Sequence, residues 1–253
     1  MAIVAMIMGE SGSGKTYSVK NLPPEETGIL LCEKSRLPFK KPFPTYRVRK
    51  METEKGRMIS QAEVVCSVLR RASRKIYVID DSQYLMVNEF FDRALESGYQ
   101  KFTEIGLHFR DIVHLANSEL PDDIVVYFLH HTDQDSASGR VKAKTIGRVL
   151  DDKLTLEGCF DIVLRASLED GKYVFRTRTD GTDTAKSPEN MFDTPVIPND
   201  LALVDAAIRA YYDLPPLNYH AGSSRPGESR PSGPPAAPPN PSERGGAHNA
   251  QKA

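Results

Sequence analysis

An apolar run, Ile3 to Met8 (IVAMIM), leads without a break into GESGSGKT at Gly9 to Thr16. The pattern G-x-x-x-x-G-K-[ST] is filled by Gly9, Gly14, Lys15 and Thr16. Ordinary residue usage produces such a match by accident in about 1% of chains this long. The next stretch, Lys15 to Asn21, is helix-compatible and stops at Pro23-Pro24. Strand, glycine loop and helix, in that order, gather backbone N–H groups and a helix N-terminus around an anion. The loop is Gly9, Glu10, Ser11, Gly12, Ser13, Gly14, Lys15, Thr16 and Tyr17. It is expected to cradle the phosphates of a nucleotide, with Lys15 neutralising the β- and γ-phosphates and the Thr16 hydroxyl on Mg²⁺. Glu10, Ser11 and Ser13 read as exposed loop positions. The competing reading is a flexible turn with a surface lysine.

Strand and helix patterns alternate beyond this loop. Gly28 to Cys32 reads as a second buried strand, Ala62 to Ala72 as a helix and Lys75 to Ile79 as a third strand. A long helical region spans Val87 to Asn117, with a break near Ser97-Gly98. Asp123 to Leu129 is a fourth strand, Phe160 to Arg165 and Tyr173 to Arg178 are later ones, and Leu201 to Tyr212 is a closing amphipathic helix. Such alternation predicts an α/β fold with a mostly parallel sheet and helices on both faces. From Leu214 onward the composition changes: nine of the 18 prolines fall in the last 40 residues, with little apolar bulk. The expected organisation is one folded unit over 1–213 and a disordered Pro/Gly/Ser-rich tail over 214–253, a linker or a segment that binds a protein partner.

A phosphate loop needs distant partners, and the strand tips supply candidates. KIYVI ends in Asp80, with Asp81 next. A carboxylate at the end of a buried strand is costly unless it has a task, and here the task is Mg²⁺ beside Thr16. Asp81 is a candidate for orienting water. GILLC ends at Glu33, on the edge that lines the ligand crevice in open α/β sheets, where a glutamate polarises an attacking water. VVYFL ends in His130 and His131. Strand alternation points one of the two at the nucleotide, and His131 is preferred.

These residues together resemble the RecA-type P-loop ATPase core, and more closely the phage-encoded, core-only relatives of RecA in single-strand annealing and recombination. The resemblance rests on the glycine loop, Glu33, Asp80 and the polar tip after VVYFL. It extends through VKAKTIGRVLDDKLTLEG and TAKSPENMFD, over about residues 1 to 213. The tip residue is histidine where RecA has glutamine, as in ring helicases of the same superfamily. The resemblance implies a Mg²⁺-dependent, DNA-dependent ATPase that assembles as a ring or filament. It implies single-stranded DNA contacts from Lys101, beside Tyr99 and Phe102, and from Arg140, Lys142, Lys144 and Arg148 on a loop made flexible by Gly139 and its serines. It also makes Lys153 and Lys186 candidate trans-acting cations.

Composition narrows the rest. The formal net charge is −1, so no global attraction to nucleic acid or membrane is expected. Residues 34 to 57, however, hold nine Lys/Arg against two Glu, with Phe39, Phe43 and Tyr46 interleaved. That pattern fits a nucleic-acid patch or a solvated loop over a few buried rings. The three cysteines are widely separated, which excludes a disulfide framework and fits a reducing, cytoplasmic compartment. No apolar stretch is long enough to span a membrane. A nucleotide or small-molecule kinase is an alternative, with GRVKAKTIGR as its lid, and so is a non-hydrolysing ATP-binding adaptor. A GTPase is disfavoured by the lack of N-K-x-D.

Overall fold

The computed structural model describes residues 1–33, 36–147 and 155–219. The strands are β1 (Ile3–Gly9), β2 (Thr27–Leu31), β3 (Thr45–Arg47), β4 (Met51–Glu52), β5 (Met58–Ile59), β6 (Ile76–Asp80), β7 (Val125–Gln134), β8 (Val141–Ala143), β9 (Ile162–Glu169), β10 (Lys172–Arg176) and β11 (Val196–Pro198). The α-helices are α1 (Gln61–Arg70), α2 (Tyr84–Asp92), α3 (Gln100–Glu119) and α4 (Leu201–Tyr211). The main sheet runs β11-β10-β9-β1-β7-β6-β2-β3, with β8 paired to β7. From β9 to β3 every neighbour in that order is parallel, while β10, β11 and β8 join antiparallel.

The central strands are apolar on both faces because both are covered. Met6, Met8, Ile79, Val126 and Phe128 point to one side and pack with Val65, Leu69, Ile105, Phe109 and Ile112 of α1 and α3. Ile7, Ile29, Val78, Tyr127 and Leu129 point to the other and meet Val19, Leu22, Leu201, Val204 and Ile208. The expected α/β fold with a mostly parallel sheet between helices is what forms. The N-terminus of α1 is set by a capping box, Ser60 accepting from Glu63 N and Glu63 accepting from Ser60 N.

Three expectations change. The segment after the glycine loop is only a five-residue 3₁₀ turn, Tyr17–Asn21. Pro23 forces Leu22 into extended backbone (ψ 152°), so no room remains for an α-helix, and the expected helix-dipole contribution shrinks with it. The helical stretch from 87 to 117 breaks where expected, into two helices separated at residues 93–99, where Gly98 has φ 91°. The segment 135–140 is not a flexible loop but a bonded turn closing the β7–β8 hairpin: Asp135 N donates to Arg140 O and Gly139 N to Asp135 O, each at 2.8 Å. The packed unit also runs past 213. Leu214, Leu217 and Tyr219 lie on the α4 face, and the Tyr219 hydroxyl donates to buried Asp205 at 2.6 Å. The rest of the expected tail, 220–253, is outside the described residues. Among the described residues, no helix is long and apolar enough to cross a membrane.

Candidate functional site

β1 delivers Gly9 opposite His131 of β7, so the glycine loop starts beside the histidine tip by register alone. Gly9 is required by crowding. A Cβ there would stand 2.5 Å from Ser13 Oγ and 2.7 Å from the Ala166 carbonyl of β9. Gly14 is required by conformation, at φ 89°, and Tyr173 of β10 lies against it. Within the turn, Lys15 is buried and donates from Nζ to the Gly9 and Glu10 carbonyls at 2.6 and 2.8 Å. Its ammonium thus sits over the loop that its own backbone builds.

Thr16 reaches across the sheet. Its Oγ1 donates to Asp80 Oδ1 at 2.8 Å, although β7 separates the strands of loop and acid. Asp80 and Asp81 are both buried. Asp81 adopts φ 57°, a left-handed conformation that aspartate tolerates better than most residues, and this turns the chain sharply after β6. The carboxylate of Asp81 accepts from His131 Nε2 at 3.2 Å. Thr16 and Asp80 present one hydroxyl and one carboxylate oxygen at one point. That donor set suits Mg²⁺, which binds few protein oxygens and keeps water and phosphate oxygens as its other ligands. Among the described residues, no group of three or more His, Cys, Asp or Glu could hold a metal by itself.

A cavity of about 250 Å³ opens over this arrangement, lined by Ser11 to Tyr17 with Pro38, His131 and Tyr173. Two larger cavities, of about 700 and 670 Å³, lie beside α4 and between the β4–β5 hairpin and α1. Neither includes any residue expected at the site, and size alone does not outrank the polar convergence of the smaller one. Ser13 departs from expectation: it is buried, with an Oγ that has no hydrogen-bond partner among the described residues. A buried hydroxyl of this kind beside Lys15 suits an anionic oxygen. Glu10 and Ser11 are exposed, as expected.

The histidine pair divides by strand alternation. His131 faces the cavity. His130 is fully buried on the opposite side, with Nδ1 2.9 Å from Ser82 Oγ, Nε2 2.8 Å from the Lys144 carbonyl, and its ring against Phe109. A carbonyl only accepts, so Nε2 holds the proton and Nδ1 accepts from Ser82. Burial pushes the imidazole down to about 4, so it is neutral near pH 7. His130 is therefore a core residue, which corrects its place among the candidates. Glu33 is exposed at the β2 tip, with Asn88 Nδ2 3.4 Å away. Its neighbour Cys32 is buried, and burial with the charges of Asp80, Asp81 and Glu33 pushes that thiol well up, so it is no nucleophile.

Two of the described cations expected at DNA or at a subunit boundary are tied to backbone carbonyls. Lys101 is buried and donates to the Arg93 and Glu96 carbonyls at 3.2 and 2.7 Å, closing the end of α2. Arg140 donates to the Asp183 carbonyl at 2.7 Å. Lys142 is half-buried on β8, while Lys144 and Lys186 are exposed. Arg148 and Lys153 lie outside the described residues. Sequence reasoning missed Pro38 and Tyr173 on the cavity wall and Asn199, whose Nδ2 donates to Ser13 O at 3.4 Å. A tyrosine after an Asp-Gly turn signals a strand, but not that the strand lies two places from β1. No family model and no curated protein matches this chain.

Proposed function

We propose that the chain is a Mg²⁺-dependent ATPase of the RecA-type P-loop class, acting on single-stranded DNA in phage-type recombination or annealing as a homo-oligomer. The observation that supports this best is the 2.8 Å contact from Thr16 to Asp80 across an intervening strand whose tip presents His131. Such a contact joins a phosphate-sized cradle to a carboxylate fitted for a metal. Lys15 and the loop N–H groups bind the phosphates, Ser13 adds a hydroxyl, and Thr16 with Asp80 holds Mg²⁺. The metal, when bound, supplies charge neutralisation on the phosphoryl oxygens. Asp81 orients His131 toward the terminal phosphate. Glu33 is the better water-orienting base, because its carboxylate is exposed at the crevice edge while that of Asp81 is engaged by His131.

The kinase alternative loses support from the same geometry, since the stretch it needs as a mobile lid is tied down at residues 140 and 141 to 182 and 183. The test is ATP binding and turnover with purified protein. Lys15→Ala should bind ATP at least tenfold more weakly and show no turnover while melting like wild type, and Asp80→Asn should lose Mg²⁺-dependent binding and turnover together. Normal turnover by Lys15→Ala would refute the phosphate cradle.

A further inference from the structure

The sheet ends in two arginines that the fold does not use. β3 is its last strand. Ile29 N donates to Pro44 O and Val48 N to Leu31 O, so alternate peptide groups turn to β2 and those of Thr45 and Arg47 turn outward, where among the described residues no further strand is paired. Side chains alternate in step: Thr45, Arg47 and Arg49 are exposed, and Val48 is buried. Neither arginine forms an ion pair with a described residue, whereas the cations farther along the chain, Lys50 and Arg57, are paired with Asp92 and Glu63. Arg47 closes β3, and Arg49 follows it two residues later, just beyond the strand.

This edge is also well placed. Arg47 lies opposite Leu31, at the carboxyl end of the sheet that holds Glu33, Asp80 and Thr16. The loop that leads into β3 lines the phosphate-sized cavity at Pro38 and bears two more exposed cations, Arg36 and Lys40. Lys101 and Arg140, by contrast, are committed to backbone carbonyls.

We propose that the β3 edge binds the sugar-phosphate backbone of single-stranded nucleic acid, with Arg47 and Arg49 as its centre. Guanidinium groups match phosphate oxygens in bidentate fashion, and the outward N–H groups of Thr45 and Arg47 add donors between them. Half-buried Phe39, on the loop that leads into β3, offers ring surface on the other face of the sheet from Tyr46 and Val48. A second copy of the chain is the poorer occupant, because protein interfaces have apolar centres, and among the most exposed large apolar residues Phe91, Leu95 and Tyr99 lie elsewhere, around the α2–α3 connection. The inference rests on the nucleic-acid part of the proposed function and needs no ATP hydrolysis.

The experiment is a salt titration of a fluorescent 30-mer oligothymidylate, read by anisotropy. It compares wild type, Arg47→Ala/Arg49→Ala and Arg47→Lys/Arg49→Lys, after thermal melts show all three folded. Each neutralised phosphate of a single strand contributes about 0.7 to the log–log salt slope, so the alanine pair should flatten it by about 1.4 and weaken binding about 25-fold at 0.1 M salt. The lysine pair should keep the slope. Overlapping curves for wild type and the alanine pair overturn the assignment and leave DNA binding to another surface. No wild-type binding at 50 mM salt overturns it as well, and intact ATP turnover in the same protein would show that the ATPase reading survives. Loss of oligomer in the alanine pair, by light scattering, with unchanged DNA affinity would assign the edge to a second copy instead.

Discussion

Truncation separates the packed unit from the proline-rich tail. Tyr219 donates to Asp205 Oδ2 at 2.6 Å, and Asp205 also accepts from Tyr127 (2.8 Å) and from Arg209 Nε (2.7 Å), deep under α4. Arg209 in turn donates to the Pro215 carbonyl at 3.3 Å. Ending the chain after Asp213 removes two hydrogen bonds to this buried ion pair, the stronger one worth about 1.5–3 kcal/mol. It also removes the contacts of Leu214 and Leu217, half-buried and worth about 1 kcal/mol each. The expected loss is about 4 kcal/mol, and at roughly 2–4 °C per kcal/mol for a chain of this size the melting temperature should fall by about 8–16 °C. Ending it after Tyr219 should shift the melt by less than about 1 °C, because the removed segment has too little apolar bulk to stabilise a fold. Tyr219→Phe should fall between the two. Calorimetry of the three proteins decides the matter, and equal melts for both truncations would refute the role given to residues 214–219.

Glu33→Gln should bind ATP as wild type does and lose at least about 100-fold in turnover, the size of a typical general-base contribution; unimpaired hydrolysis would move the base to Asp81. His130 makes stability depend on pH. Burial holds it at about 4 against an ordinary 6.5, so below 6.5 the unfolded chain takes up a proton that the folded one refuses. Its contribution is complete above pH 6.5 and falls by about 3 kcal/mol on going down to pH 4. Denaturant titrations of His130→Gln should show a flatter pH dependence than wild type over that window, and parallel curves would sink the idea.

Much of the fold is legible in the sequence because its signals are local. Six strands, the two-face burial of the central ones and the closing helix are encoded in apolar period and turn residues. What escapes depends on who neighbours whom. That β7 lies between β1 and β6 brings the histidine tip between loop and acid, and no local pattern encodes this order. The same holds for Tyr173 and Asn199, which reach the loop through the β9–β10 pairing and the turn after β11. Lys101 and Arg140 mislead for a different reason. Their partners are backbone carbonyls, neutral groups that charge patterning cannot reveal, whereas the acidic partners of Lys50 and Arg57 are side chains. Short strands such as β3 and β8 have too few residues for a period to register.

Adjacent residues with the same chemistry end up with opposite tasks at two places, and backbone geometry explains both. His130 and His131 sit on a continuous strand, so they face opposite sides of the sheet: one is locked neutral against Ser82 and Lys144, the other stands on the cavity. Asp80 and Asp81 sit at the point where a strand ends. The left-handed turn at Asp81 sends Asp80 to Thr16 and Asp81 to His131. Two buried carboxylates on consecutive residues would repel if both faced one partner, and the turn gives each its own donor. The proposed metal ligand and the proposed histidine support are thereby kept apart. It follows that Asp81 is held both by its hydrogen bond to His131 and by its left-handed backbone, whereas Asp80 meets Thr16 from the regular end of β6.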